Sequence, residues 1–150
     1  MAVTVTFFNL FKLGQVDGSH FVNFDSDTFA LTLHTSDLGA DLDLDTMEFY
    51  DDLLHELGTV GNYIAGGQDL VDTSVNLDTA NDFVYFDAAD VTWAVLTATF
   101  RYAVLRQNTG NPTTDVLIFV IDFGEDKVLA AADFVVQWPP STLGAVLKMT

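Results

Sequence analysis

Trp93-Ala94-Val95-Leu96-Thr97-Ala98-Thr99-Phe100-Arg101-Tyr102-Ala103-Val104-Leu105-Arg106 decides the reading of this chain. The stretch is long, free of Gly and Pro, and rich in residues that suit a pleated, half-buried surface. Its even positions Leu96, Phe100, Tyr102 and Val104 are mostly apolar, while Thr97, Thr99 and Arg101 lie on the other face. That period of two marks a strand.

The pattern continues on the C-terminal side. Gln107 to Thr114, with Gly110 and Pro112, reads as a loop. Val116 to Phe123 is apolar on both faces, as a central strand covered on two sides must be. Gly124-Glu125-Asp126-Lys127 is expected to turn the chain. Phe134, Val136 and Trp138 alternate with Asp133 and Gln137, until Pro139-Pro140 breaks the strand. Leu143, Ala145, Leu147 and Met149 form a last one.

On the N-terminal side, Val71, Thr73, Val75 and Leu77 alternate with polar residues. A turn at Asp78 to Asp82 leads to a returning strand, Phe83 to Asp87. Gly58 to Gly67 holds four glycines and reads as an irregular loop, with Gly66 and Gly67 at positive φ or in close backbone approach beside Tyr63. Met47, Tyr50, Leu54 and Leu57 are spaced for a short helix over Thr46 to Leu57, and Thr35 to Thr46 for a loop. Phe29 to His34 reads as a half-buried strand. Thr6 to Val16 reads as a helix capped by Thr6 and stopped by Gly14. The expected fold is therefore mainly β. It is one domain over 1–150, an antiparallel β-sandwich of jelly-roll or immunoglobulin-like type, with one or two short helices in the N-terminal third.

The 150 residues carry 22 Asp and Glu against 5 Lys and Arg, a formal charge of -17, with 49% hydrophobic residues and no Cys. A chain of this length buries enough surface to fold without disulfide staples. Lack of Cys excludes disulfide frameworks and Cys-based zinc sites. The acidic excess argues against nucleic acid, whose binding requires cations on phosphates, and against anionic membranes. No basic targeting segment stands at Met1-Ala2-Val3-Thr4, and the apolar run Val116 to Ile121 is too short to span a bilayer.

Chemistry-bearing motifs are few. His55-Glu56-Leu57-Gly58-Thr59 begins like a zincin helix but lacks the second His. His20, His34 and His55 read as surface or edge residues. Asp41-Leu42-Asp43-Leu44-Asp45 has the rhythm of a calcium loop, but Thr46 stands where an EF-hand needs Gly and Asp52 where it needs Glu. Asp41, Asp43 and Asp45 are thus a calcium candidate set against a solvated acidic stretch with aspartates out and leucines in. Trp93 and Trp138 read as core. No phosphate loop and no nucleophile elbow occurs. The expectation is a protein without enzymatic activity and without a cofactor.

Four stretches together resemble a family of small virion structural proteins of tailed bacteriophages, many of them marine. They are Phe7-Phe8-Asn9-Leu10-Phe11-Lys12; Gly61-Asn62-Tyr63-Ile64-Ala65-Gly66-Gly67; Asp78-Thr79-Ala80-Asn81-Asp82 running to Asp87-Ala88-Ala89-Asp90-Val91-Thr92-Trp93; and Arg101-Tyr102-Ala103-Val104-Leu105 with Ile121-Asp122-Phe123-Gly124. The resemblance covers nearly the whole chain and has no catalytic residues to carry over. It implies a capsid decoration or cement protein on the outer surface of the head, made in the host cytoplasm. Its partner would be the major capsid protein, with self-association into a dimer or trimer. A tail or baseplate component and a carbohydrate-binding β-sandwich are the alternatives. Phe7, Phe8 and Phe11 are the candidate anchor on the partner, set against simple core packing. The chain departs from the family pattern at Val128-Leu129-Ala130-Ala131-Ala132, which is apolar where relatives are more polar, and at Trp138-Pro139-Pro140. Both departures bear on the exposure of the C-terminal hairpin, and one of the two is a candidate contact surface.

Overall fold

A computed structural model describes residues 2–150. The protein is mainly β, with two antiparallel sheets and short helices confined to the N-terminal third. The large sheet has the order β1-β7-β6-β2-β3, and the small one β4-β5-β8. The strands are β1 (Thr4–Phe7), β2 (Phe29–His34), β3 (Gln68–Asp69), β4 (Ser74–Asp78), β5 (Phe83–Asp87), β6 (Val91–Gln107), β7 (Leu117–Val136) and β8 (Leu147–Met149). The helices are α1 (Asn9–Asp17) and the single turn α2 (Leu38–Asp41), with a 3-10 turn at Tyr50–Asp52.

The long β6–β7 hairpin is the spine. β2 pairs with β6 from Phe29↔Gln107 to His34↔Tyr102, and β1 with β7 from Thr4↔Asp122 to Phe7↔Phe119. Where four strands lie side by side, Tyr102 to Gln107 and Leu117 to Ile121 are all buried. Their continuous burial follows from cover on both faces. On one face Phe86 of β5 brings its ring 5.3 Å from Phe29 of β2, and Phe24 stacks on Phe29 at 5.0 Å. Elsewhere the segment between β2 and β3 supplies Leu38, Met47 and Tyr63 to the same core.

Several local expectations are corrected. The Thr6–Val16 segment divides into a strand and a helix. Thr4-Val5-Thr6-Phe7 alternates and joins β7, and Phe8 occupies the N-cap with no side-chain cap. Gly14 lies inside α1, where a Cβ would stand 2.7 Å from His20; Gly18 at φ 76° ends the helix. The helix expected over Thr46–Leu57 shrinks to the 3-10 turn because its backbone pairs with the sheet instead. Leu57 N–H donates to Leu33 O at 2.9 Å and Tyr50 N–H to Asp115 O at 2.9 Å. The loop expected over Thr35–Thr46 contains α2. β2 is buried on both faces, not half-buried.

The expected turn at Gly124-Glu125-Asp126-Lys127 is a bulge inside β7, which runs on to Val136. Arg101 is the reason. Its guanidinium grips Asp122 at 2.9 and 3.1 Å, while Asp122 also accepts the Gly124 N–H at 2.8 Å. The extra residues are thereby looped out beside β6, and pairing resumes at Phe100↔Lys127. Such bulges add local twist without ending the ladder. The C-terminal strand is shorter than expected, and of the strand expected over Val71 to Leu77 only the second half forms, as β4 (Ser74–Asp78).

Candidate functional site

The densest polar cluster gathers around the glycine loop. Glu56 is half-buried and accepts from Tyr50 OH at 2.5 Å, Tyr63 OH at 2.7 Å and Gly66 N–H at 2.7 Å. Tyr63 OH in turn accepts the Leu33 N–H at 3.1 Å. Burial pushes the Tyr50 and Tyr63 phenols above their ordinary range, and the Glu56 carboxylate adds to this. Arg106 is buried beside them. It donates to Asp115 at 2.7 Å and to Gly66 O at 2.7 Å, with its guanidinium 3.9 Å from the Tyr50 ring centre. Asp115 also accepts from the Thr109 N–H and hydroxyl. Among the described residues only Arg106 Nε lacks a partner among buried side-chain atoms. The other donors and acceptors of the cluster are spent on tying the loop to the sheet, which is the work of a clasp.

The three histidines do not meet. His20 bonds Glu48, and His55 bonds Asp41 at 2.5 Å. His34, expected at the surface, is buried. Its Nδ1–H donates to Leu54 O at 2.9 Å, so Nε2 accepts from the Thr32 hydroxyl at 2.8 Å. Burial pushes the His34 ring below the usual 6.5 against the opposing bond to Leu54.

Asp41, Asp43 and Asp45 are all exposed, with Leu42 and Leu44 turned toward the core between them. Each carboxylate has its own partner: His55 for Asp41, the Asp45 N–H for Asp43, and Asn9 for Asp45. The Asp43 carboxyl is held below the usual range, chiefly by that N–H. Among the described residues no three His, Asp or Glu side chains form a group that could hold a metal ion.

Of the candidate anchor residues, Phe8 and Phe11 follow the alternative reading and are core residues. Phe11 lies 6.0 Å from Phe7 and 6.2 Å from Phe24, centre to centre. Amphipathic spacing alone could not tell these two uses apart. Phe7 is half-buried and lines a groove of about 550 Å³. This groove opens between β1 and β7 on one side and residues 144–148 on the other, over Phe119, Ile121, Phe134 and Trp138.

A second apolar surface lies on the β6–β7 ribbon beyond the ends of β1 and β2. From Val91 to Phe100 and from Val128 to Ala132 there is no charged residue. Trp93, Leu96 and Phe100 point inward and are buried; Thr92, Ala94, Val95, Thr97, Thr99, Val128 and Ala130 are exposed. The alternation survives because two bulges compensate. Val95 and Ala131 take φ 51° and 52°, and their N–H groups are received by Asp133 at 2.8 Å and Thr97 at 2.9 Å on the opposite strand.

No protein-family model, no curated protein and no solved structure matches this sequence.

Proposed function

We propose that this chain is a non-enzymatic structural protein of a tailed-bacteriophage particle. In this reading it is made in the host cytoplasm and then decorates the outer surface of the head. There it binds the major capsid protein and strengthens contacts between capsomers. The observation that carries the reading is the sparsely charged outer face of the β6–β7 ribbon, where the Asp133 carboxylate is engaged by the Val95 N–H, in a chain of charge -17. Interface centres are depleted of charge relative to the surrounding surface, and this face is depleted where the rest is acidic. It sits on a ladder pinned by bulges, so it is rigid and loses little entropy on docking. The five basic residues offer few ion pairs to a shell, so contact through Val128, Ala130, Val95 and the threonine hydroxyls suits the composition. The acidic remainder keeps decorated particles apart.

The test is occupancy on undecorated heads over a salt series. Occupancy is expected to hold or rise from about 0.01 M to about 0.15 M salt, as the screening length falls from about 30 Å to about 8 Å. Val128→Glu with Ala130→Glu is expected to abolish it while leaving the fold intact, because both side chains are exposed. Tight binding at low salt that vanishes at high salt overturns the reading, and so does full occupancy by the double variant. A copy number of a handful per particle would move the protein to the tail.

A further inference from the structure

We infer that β1 is a dimerisation strand, its free edge pairing antiparallel with β1 of a second copy of this chain about a two-fold axis at Val5. Open strand edges are templates for another chain, and proteins ordinarily defend them with charges, Pro or cover. Here β3 carries Asp69, β4 carries Asp78 after Asp72, and β8 carries Lys148 after Pro139-Pro140. The edge of β2 is covered by β3 and by the Leu57 and Thr35 backbone bonds. β1 has no such device: Ala2 to Phe8 contains no ionisable side chain, and Val3 and Val5 are 58% and 53% exposed.

The hydrogen-bonding groups on that edge are free. Phe8 N–H donates to Ile118 O at 3.1 Å, which sets the phase of the ladder. By antiparallel alternation Thr6 and Thr4 turn their backbone groups to β7, and Val5 and Phe7 turn theirs outward; the same alternation carried one residue past the strand sets Val3 outward. Among the described residues none of these outward groups has a backbone partner.

Self-complementarity names the occupant. About Val5, the sequence Val3-Thr4-Val5-Thr6-Phe7 sets Val5 opposite the partner's Val5, Val3 opposite the partner's Phe7, and Thr4 opposite the partner's Thr6. Every outward-bonding residue meets another, so each such pair exchanges two hydrogen bonds. Threonines pair on one face and apolar side chains on the other, both favourable cross-strand combinations. The apolar side chains are those that line the groove beneath, so pairing runs two grooves together under one continuous sheet. Charge agrees. Two copies at -17 repel, and they can meet only where local charge is balanced. Asp122, opposite Thr4 on β7, is neutralised by Arg101, and Lys148 lines the groove.

This pairing stands apart from the virion reading, which uses the ribbon face, and either can fail alone. Sedimentation equilibrium of the purified chain is expected to show a dimer that strengthens with salt. Val5→Lys, which sets two cations face to face, is expected to weaken it by about tenfold or more while melting remains cooperative. Should that variant not fold, Val5→Cys supplies a second reading, because the chain has no other Cys. Hydrogen-bonded pairs sit about 5.5 Å apart at Cα, within disulfide reach. Oxidative cross-linking is expected to be about tenfold faster than for Val16→Cys on the exposed face of α1. A chain that stays monomeric throughout, a dimer indifferent to Val5→Lys, or equal cross-linking of the two Cys variants overturns the inference.

Discussion

Glu56 and Arg106 hold opposite ends of one residue: Glu56 Oε1 accepts the Gly66 N–H at 2.7 Å, and Arg106 Nη2 donates to the Gly66 carbonyl at 2.7 Å. The peptide is gripped at φ 105°, where L residues are strained, and Gly67 follows at φ 83°. A Cβ on Gly67 would stand 2.2 Å from Leu31 O, a backbone atom that cannot step aside.

Gly67→Ala is therefore expected to cost about 3 kcal/mol or more, through overlap added to strain. Gly66→Val should cost about 1–3 kcal/mol. Gly58→Ala, with open space at its Cβ, should stay within about 0.5 kcal/mol of the parent. Urea unfolding of the three variants measures this. A neutral Gly67→Ala would show that the loop does not hold the edge of β2.

Tyr63→Phe removes the side-chain acceptor of the Leu33 N–H and one donor to Glu56. Leaving the buried N–H unpaired should cost about 1–3 kcal/mol. The variant should also lose one of the late-ionising phenols in an alkaline absorbance titration. If both stability and titration are unchanged, the clasp is not a source of rigidity.

His34 sets a pH dependence. Its folded ring is held below the ordinary 6.5, first by burial. Below that ordinary value the unfolded chain takes up a proton that the folded chain refuses, so the unfolded state binds more protons there. Stability contributed by His34 is full above 6.5 and falls as pH drops from 6.5 toward the depressed folded value. The melting temperature should fall from about pH 7.5 to about pH 5.5, and His34→Gln should flatten that slope while lowering stability overall. An unaltered slope in the variant would assign the dependence to other groups.

Val95 is β-branched yet takes φ 51°. The left-handed region costs such a residue about 1–2 kcal/mol, whereas glycine costs about 0.5–1 kcal/mol in unfolded-state entropy. Val95→Gly should thus raise stability by up to about 1 kcal/mol, a gain of about 2–4 °C in melting temperature. A fall would mean that the Val95 side chain, 56% exposed here, packs usefully.

Calcium and magnesium at millimolar levels should shift the melting temperature equally, by screening of acidic repulsion, and Asp43→Ala should not change the difference. The reason is the separate engagement of Asp41, Asp43 and Asp45. A calcium-specific rise lost in Asp43→Ala would restore the loop as a site.

What the chain disclosed in advance follows from the range of the forces involved. Phe29–His34, Phe83–Asp87 and the long β6 were legible because alternation is local. The glycine pair was legible because few other residues tolerate its φ values. Gly124-Glu125-Asp126-Lys127 misled, since its turn composition is overruled by Arg101, a residue more than twenty positions away. Thr46–Leu57 misled in the same way: helical spacing was present, but the backbone found sheet edges to pair with. Glu56 gave no signal beyond a broken zinc motif, because its role depends on Tyr50, Tyr63 and Gly66 arriving together. The burial of Phe8 and Phe11 was likewise undecidable from spacing.

The order of the large sheet also bears on synthesis. β6 and β7 are neighbours in the chain, but β1 pairs with residues around Asp122 and β2 with residues around Gln107. At about 5–20 residues per second, a nascent β1 waits roughly 6–24 s for its partner to be translated. During that interval the uncharged, β-prone segment lacks its native partner β7. Slow closure of such long-range contacts sets the folding rate. Polysome density, and chaperone occupancy of the first thirty or so residues, should therefore govern the yield of folded protein more than its final stability does.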